Sequence, residues 1–183
     1  MTVIIHKNFL TLEECTLLNK VVDQGLKEGW INKGIQASDN KYDLRYTSRI
    51  HMEQAEYPQI VRDISNKVRA FMGLDSYPLI EGHGKDGVVV SITFQGGSVY
   101  RHKDPNAQNN PAYRCNILTQ ANENGAEIYV NGKLVEVGVG DLHCYAVSEL
   151  DHFVTEAKGK TPRIMWMFGA SVPMKDLKER GLI

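Results

Sequence analysis

The second half of this sequence is divided into short apolar runs by glycine and proline, and this pattern constrains the fold more than any other feature. Asn131-Gly132, between two of the runs, is a strong signal for a tight β-hairpin, because both turn residues must accept a positive φ. A run of roughly seven or eight short strands is typical of a small jelly-roll barrel. The predicted strands are Val88–Phe94, Arg114–Gln120, Glu127–Val130, Lys133–Val137, Asp141–Tyr145, His152–Glu156 and Arg163–Phe168.

Helical patterns are confined to the first half of the chain. Thr11 and Glu14 have the spacing of a capping box, and apolar residues then recur at helical spacing until Gly29. A second helix is predicted from about Pro58 to Met72, with Gly73 ending it. The sequence therefore predicts one domain over residues 1–183 that is mainly β with N-terminal helices. Residues 1–85 would form a helical support, and residues 86–172 a jelly-roll (double-stranded β-helix) core.

The composition favours a single soluble globular domain. The chain has 183 residues, of which 42% are hydrophobic and 23% charged, with a net charge of −1. Basic and acidic residues alternate, so nucleic acid is a less expected partner. The chain contains 3 cysteines, an odd number, which favours a reducing compartment. No apolar stretch is long enough to span a bilayer, and we expect a cytoplasmic protein without a membrane partner.

Three residues have the chemistry and spacing of a metal site. His102 and Asp104 are two positions apart, so on a strand their side chains point to the same face. His152 lies far along the chain, and it can join them only if its strand folds back beside theirs. Two imidazoles and one carboxylate form a facial triad for iron(II), which leaves positions open for an organic co-substrate and O₂.

Two other histidines compete with this assignment. His51 and Glu53 also form a His-x-acid pair, but they lie between a polar loop and a helix, and we interpret His51 as a surface histidine. His143 could replace His152 as the distal ligand. Since His152, unlike His143, is followed at a suitable distance by Arg163, we interpret His143 as a half-buried strand histidine.

Arg163 opens the last predicted strand among apolar residues. Burying a guanidinium without an anion is costly, so we expect a carboxylate to meet it. That carboxylate can belong either to the protein or to a ligand, and an arginine offers a ligand carboxylate a bidentate fork.

Two polar segments are candidates for substrate contact. Ile31–Arg49 and Pro105–Tyr113 are long for simple connections, although the first can also be read as an ordinary surface loop. We predict that both flank the barrel mouth, are mobile without substrate and select what is oxidised. The residues expected to contribute are Tyr42, Arg45, Tyr46 and Arg49 in the first segment and Asn106, Asn109 and Asn110 in the second.

Several short motifs, taken together, resemble the 2-oxoglutarate- and iron(II)-dependent dioxygenases. The opening segment Phe9–Cys15 is similar to the N-terminal helix of the prolyl-4-hydroxylase-like branch. The sequence departs from the pattern at Ala126, where many relatives have a second glycine, and we expect little consequence because alanine tolerates most strand geometries. The core motifs are Tyr100–Asp104, Gly125–Ile128, Val139–Leu142, His152–Val154 and Thr161–Arg163.

The resemblance implies a set of roles for residues of this chain. His102, Asp104 and His152 would bind Fe(II), and Arg163 would hold the distal carboxylate of 2-oxoglutarate. Tyr100 and Asn116 are further candidates for hydrogen bonds to that co-substrate, although both can equally be packing residues. With O₂, such enzymes convert 2-oxoglutarate to succinate and CO₂ while they oxidise an unactivated C–H bond. Halogenases of this superfamily lack the carboxylate, so Asp104 favours hydroxylation.

The substrate is not specified by these motifs. The N-terminal helix favours a prolyl or other peptidyl substrate. A free amino acid, a small metabolite or a nucleobase is the alternative within the same chemistry. A non-catalytic jelly-roll protein that binds a metal or a small ligand is the alternative from another class.

Overall fold

The computed structural model describes residues 2–33, 45–49, 58–80 and 88–183, of which 32–33 and 45–49 enter through their backbone pairing alone. The chain forms two antiparallel sheets that enclose a space between them. Three helices accompany the sheets in this described part, and none of the three is long and apolar enough to cross a membrane.

The two predicted helices are present with the predicted caps. Helix α1 spans Leu12–Glu28; Thr11 and Glu14 form the reciprocal capping box, and Gly29 ends the helix at φ 80°. Helix α2 spans Gln59–Met72, and Gly73 ends it at φ 61°. A short helix α3, which the sequence reading missed, spans Met174–Glu179.

Eleven strands form the two sheets within the described residues. The large sheet has the order β1-β9-β6-β11-β4-β3-β2 and the small sheet the order β5-β10-β7-β8. The predicted jelly-roll architecture with N-terminal helices is confirmed. The strands are β1 Ile4–His6, β2 Asn32–Lys33, β3 Arg45–Arg49, β4 Val89–Thr93, β5 Val99–His102, β6 Ala112–Gln120, β7 Ile128–Val130, β8 Lys133–Leu134, β9 Leu142–Ala146, β10 His152–Val154 and β11 Arg163–Ser171.

Alternation along the strands of the large sheet produces two separate cores. On β9, Leu142 and Cys144 belong to the core shared with the helices, which we call the helix-side core. Tyr145 belongs to the core between the sheets, the inter-sheet core. The same alternation places Trp166 of β11 in the helix-side core and Met165 in the inter-sheet core. Polar residues at inter-sheet positions therefore face the interior of the barrel.

Backbone φ angles are positive at the predicted hairpin turn and at Ala126. Asn131 and Gly132 have φ values of 48° and 73°, as the hairpin prediction required. Ala126 also has a positive φ, of 55°. Ala126 therefore lacks the strand geometry that the sequence analysis assumed for it, and its left-handed conformation costs a residue with a Cβ atom about 1–2 kcal/mol.

The first 85 residues are not only a helical support. Strand β1 pairs with β9, and strand β3 pairs with β4 in a register that aligns Arg45 with Thr93. The loop prediction for Ile31–Arg49 was therefore wrong for Arg45, Tyr46 and Arg49, which extend the large sheet. Strand β3 was not predicted because its polar residues give no strand pattern, and its stability comes from pairing with β4. The predictions for Tyr42, His51 and Glu53 lie outside the described residues.

The second predicted loop is a compact hairpin in its central part. Ala107 and Asn110 exchange two backbone hydrogen bonds of 2.8 and 2.9 Å, and the intervening Gln108 and Asn109 both have positive φ. Ser171, at the end of β11, donates a hydrogen bond to the carbonyl of Ala107. The segment that follows Asp104 is thus hydrogen-bonded to the large sheet, and its predicted mobility without substrate stays a prediction.

Candidate metal centre and co-substrate cavity

Strands β5 and β10 bring the three predicted metal ligands together. His102 and His152 are paired in the register of the small sheet, and their ring centroids lie 4.4 Å apart. Asp104 follows the end of β5, where its backbone N–H donates to the carbonyl of Val147. One ligand atom from each of His102, Asp104 and His152 lies within 4.8 Å of the others. Small side-chain adjustments would allow all three to reach one ion.

Backbone carbonyls orient both imidazoles. Nδ1 of His102 lies 2.8 Å from the carbonyl oxygen of Tyr100, and Nδ1 of His152 lies 3.2 Å from that of Leu150. If each Nδ1 carries the proton and donates it, each Nε2 keeps its lone pair for a metal. The donor set of two neutral imidazoles and one carboxylate fits iron(II).

Arg114 fixes the carboxylate of the triad. Its Nε lies 3.1 Å from Oδ2 of Asp104, while Oδ1 lies 3.3 Å from Nε2 of His102. The Arg114 side chain is only 5% exposed, so this ion pair is shielded from solvent. One carboxylate oxygen is thus held by the arginine, and the other points to the metal position.

The protonation states of the triad suit metal binding. Burial alone would raise the pKa of Asp104, but the contact with the His102 ring and the positive charge of Arg114 outweigh it, so this pKa lies well below its usual range. Burial lowers the pKa of His152, and the neighbouring His102 lowers it further. At neutral pH Asp104 is therefore ionised and His152 neutral, which are the forms that bind a cation.

His143 is not part of this group of ligands, and the choice of His152 as the distal residue agrees with the geometry. The prediction of a half-buried His143 was wrong in degree, because the residue is 1% exposed. Burial, followed by the positive charge of Arg163, lowers the pKa of His143 to about 3, so it is neutral. The ring lies on the inter-sheet face of β9, in register with Asn116 of β6.

Arg163 lines a cavity of about 210 Å³ between the sheets. The residue is 4% exposed, and the cavity walls include the apolar side chains of Leu118, Ile128 and Val135. The guanidinium of Arg163 could bind a carboxylate, and the apolar side chains could pack against methylene groups. The cavity therefore suits a short aliphatic chain that ends in a carboxylate. Glu127 and Glu136 also line the cavity, so two carboxylates share it with the guanidinium of Arg163.

The two weaker co-substrate candidates occupy different places. Asn116 is 4% exposed and lies on the inter-sheet face of β6. Tyr100 is 43% exposed, and its ring packs on His102 with the centroids 4.7 Å apart. Neither Asn116 nor Tyr100 is among the residues that line the Arg163 cavity. Tyr100 is therefore placed to orient a metal ligand, and its predicted contact with the co-substrate stays a prediction.

The sequence reading assigned no role to Arg114 or Tyr145. Tyr145 is buried, and its ring meets His152 edge-on with the centroids 5.5 Å apart. Arg114 could have been found from its position two residues before Asn116 on a strand whose other face is apolar. An arginine in such a strand needs an anion, and Asp104 is that anion.

Comparison with known structures agrees with this architecture. A prolyl hydroxylase from Trichoplax adhaerens, solved with a peptide fragment of the hypoxia inducible factor oxygen degradation domain, superimposes with a TM-score of 0.70 at 19% identity, over 98% of this chain and 86% of that one. The fold is that of the prolyl hydroxylases.

Two further structures with this fold come from a virus and a bacterium. The viral collagen prolyl hydroxylase of Paramecium bursaria Chlorella virus-1, in its 2-oxoglutarate complex, gives a TM-score of 0.67 at 15% identity, over 94% of this chain and 97% of that one. A prolyl-4-hydroxylase from Pseudomonas putida gives 0.70 at 12% identity, over 93% and 92% of the two chains. No family model matches the sequence, and a comparison with curated proteins finds no significant relative. The similarity to the prolyl hydroxylases is therefore clear in the fold, whereas the sequence similarity is low.

Proposed function

We propose that this protein is a 2-oxoglutarate- and iron(II)-dependent dioxygenase that hydroxylates a C–H bond of a prolyl or other peptidyl substrate. The observation that carries the proposal is the convergence of His102, Asp104 and His152 within 4.8 Å, with both imidazole Nδ1 atoms beside backbone carbonyls. The cavity lined by Arg163 supports the binding of a dicarboxylate in this proposal. The prolyl hydroxylase fold supports the peptidyl substrate class, since one protein with this fold is solved with a peptide.

Some residues of this chain would hold the metal and the co-substrate, and others would exclude water from them. When bound, iron(II) supplies the oxidative chemistry that turns 2-oxoglutarate and O₂ into succinate and CO₂ and inserts one oxygen atom into the C–H bond. His102 and His152 hold the metal as neutral ligands, and Asp104 supplies one negative charge that Arg114 keeps in place. Arg163 would bind the remote carboxylate of 2-oxoglutarate. The apolar walls around Arg163 would exclude water from the co-substrate.

The site geometry also bears on the type of oxidation. Asp104 lies among the ligand atoms and is ionised, so all three protein ligands are present. A halide would have to displace that carboxylate from its contact with Arg114. Hydroxylation is therefore the proposed outcome, with succinate, CO₂ and the hydroxylated product formed in equal amounts.

A coupled assay tests the proposal. The protein, loaded anaerobically with Fe(II), is mixed with 2-oxoglutarate, O₂ and libraries of proline-containing peptides, free amino acids, small metabolites and nucleic acids. We expect succinate release that a peptide stimulates, together with a mass gain of one oxygen on that peptide. Stimulation by another class of compound would revise the substrate but keep the chemistry. Metal binding without succinate release under any condition would assign the chain to non-catalytic ligand binding.

A further inference from the structure

Tyr145 connects the large sheet to the second histidine of the candidate metal centre. It lies on β9, where its backbone is paired with that of Arg114 on the neighbouring strand β6. Its side chain belongs to the inter-sheet core, and only 4% of the residue is exposed. The phenol ring meets the imidazole of His152 edge-on, with the centroids 5.5 Å apart and the ring planes at 71°. A ring from the large sheet therefore packs on a proposed ligand that the small sheet carries.

The imidazole of His152 needs a packing contact because its second side-chain torsion is weakly specified. Rotation about the Cβ–Cγ bond has a broad energy profile, and a half-turn puts carbon atoms in the places of both ring nitrogens. A metal ligand must keep Nε2 in one direction, so the protein has to select one ring orientation. The backbone hydrogen bond alone restrains the ring weakly, because Nδ1 lies 3.2 Å from the carbonyl oxygen of Leu150, at the long end of the usual range.

The other proposed histidine ligand is restrained more tightly, and by its own strand. Nδ1 of His102 lies 2.8 Å from the carbonyl oxygen of Tyr100, and the Tyr100 ring packs on the same imidazole with the centroids 4.7 Å apart. The residue two positions before His152 is Leu150, which supplies a carbonyl oxygen but no ring. Tyr145 supplies that ring from β9. Each imidazole thus contacts one carbonyl oxygen and one tyrosine ring.

We propose that Tyr145 is a positioning residue that fixes the orientation of the His152 imidazole, so that Nε2 faces the metal. The inference rests on the proposed function, which assigns His152 to the metal. Tyr145 acts through His152, and the contact depends on the ring of Tyr145 and not on its hydroxyl. Arg114, the cross-strand partner of Tyr145, holds Asp104. Strands β6 and β9 of the large sheet therefore support two of the three proposed ligands.

The experiment measures Co(II) binding by four proteins at equilibrium, without O₂ and without turnover. The proteins are the wild type, Tyr145→Phe, Tyr145→Leu and Tyr113→Leu. Phenylalanine keeps the ring and removes the hydroxyl, whereas leucine removes the ring. Tyr113 is the matched control, because it is a fully buried tyrosine of β6 whose side chain lies in the helix-side core. The titration gives the Kd, and the visible absorption of bound Co(II) reports the geometry of its ligands.

The expected loss of affinity is confined to the variant that lacks the ring at position 145. Tyr145→Leu should weaken Co(II) binding about 10–100-fold, the usual effect of removing a residue that orients a metal ligand, and should shift the absorption bands. Tyr145→Phe should bind Co(II) as the wild type does. Tyr113→Leu should unfold at a lower urea concentration but keep the wild-type Kd and spectrum.

Three results of this comparison would overturn the inference. The first is a wild-type Kd and spectrum in folded Tyr145→Leu, which would show that the ring does not orient His152. The second is an equal loss of affinity in Tyr145→Leu and Tyr113→Leu, which would show a general effect of loosened packing. The third is a loss in Tyr145→Phe as large as that in Tyr145→Leu, which would assign the effect to the hydroxyl.

NMR of the histidine rings in the apoprotein keeps the inference testable if Tyr145→Leu does not fold. In the wild type we expect His152 to show one tautomer, with the proton on Nδ1, and a ring as rigid as the backbone. A His152 ring that averages between orientations in the apo wild type would overturn the inference. Co(II) binding with the expected pattern but no succinate release would leave the inference intact and overturn the proposed function. A wild type that binds no Co(II) would overturn both.

Discussion

Nε of Arg114 lies 3.1 Å from Oδ2 of Asp104, and this ion pair joins the large sheet to the segment that follows strand β5 of the small sheet. Arg114 belongs to β6, whereas Asp104 comes directly after β5. The position of one proposed metal ligand thus depends on the separation of the two sheets. Any change that shifts β6 relative to β5 would alter the candidate metal site without changing a proposed ligand.

The first prediction concerns this ion pair. Arg114→Met should weaken iron(II) binding by about 10–100-fold, the usual effect of removing a residue that supports a metal ligand. Arg114→Lys should recover only part of the affinity, because it restores the charge without the planar Nε contact. Anaerobic metal titration measures both. Arg101→Met is a matched control, since Arg101 pairs with Asp151 at 3.1 Å but its side chain is 59% exposed.

The second prediction concerns the distal ligand. His102→Ala or His152→Ala should abolish stoichiometric iron binding and succinate release, because a facial triad needs all three groups. His143→Ala should keep one metal ion per chain, which elemental analysis of the dialysed protein would show. Loss of the metal in His143→Ala, with retention in His152→Ala, would mean that the distal ligand is wrongly assigned.

The third prediction concerns Arg163. Arg163→Ala should raise the Kd for 2-oxoglutarate by a factor that corresponds to about 2–5 kcal/mol, the cost of removing one partner of a buried charge pair. Iron binding should stay close to that of the wild type. Arg163→Lys should recover only part of the affinity, because lysine lacks the bidentate fork. An unchanged Kd in a folded Arg163→Ala protein would assign the arginine to an internal ion pair.

The fourth prediction concerns acid sensitivity. The pKa of His143 is lowered in the folded protein from 6.5 to about 3, so the unfolded chain binds the extra proton between these values. The free energy of unfolding should fall as the pH drops below 6.5, and it should lose about 2 kcal/mol by pH 5.

Urea unfolding of the apoprotein at pH 7 and pH 5 measures this dependence. His143→Gln should reduce the pH dependence by about 2 kcal/mol relative to the wild type. His152 contributes in the same direction, and it is common to both proteins. Identical pH dependences in the two proteins would contradict a neutral buried His143.

The sequence predicted those parts of the fold that depend on local signals. The capping box at Thr11 and the Asn131-Gly132 turn act through the backbone of neighbouring residues, and both are present as expected. Strand β3 was missed because its polar residues carry no periodic apolar signal. Its pairing with β4 involves residues far away in the sequence.

The candidate site also has residues that local sequence patterns predict and residues that they do not. The spacing of His102 and Asp104, with a distal His152, could be read from the sequence because the ligand types and the strand period limit the choices. The contact of Arg114 with Asp104 could not, since it joins two sheets whose separation no local pattern specifies. The depth of His143 was underestimated for a related reason: alternation predicts the face of a residue but not what covers that face.

The register between His102 and His152 also has a consequence for how the protein is made. Strand β5 lies at the end of the small sheet, and among the described strands it pairs only with β10. During synthesis, β5 leaves the ribosome well before its partner, and closing the intervening stretch of chain makes this pairing slow. The half of the site at β5 cannot capture a metal ion tightly in the meantime. Metal loading should therefore follow folding, so cells starved of iron should accumulate folded apoprotein that can be activated later.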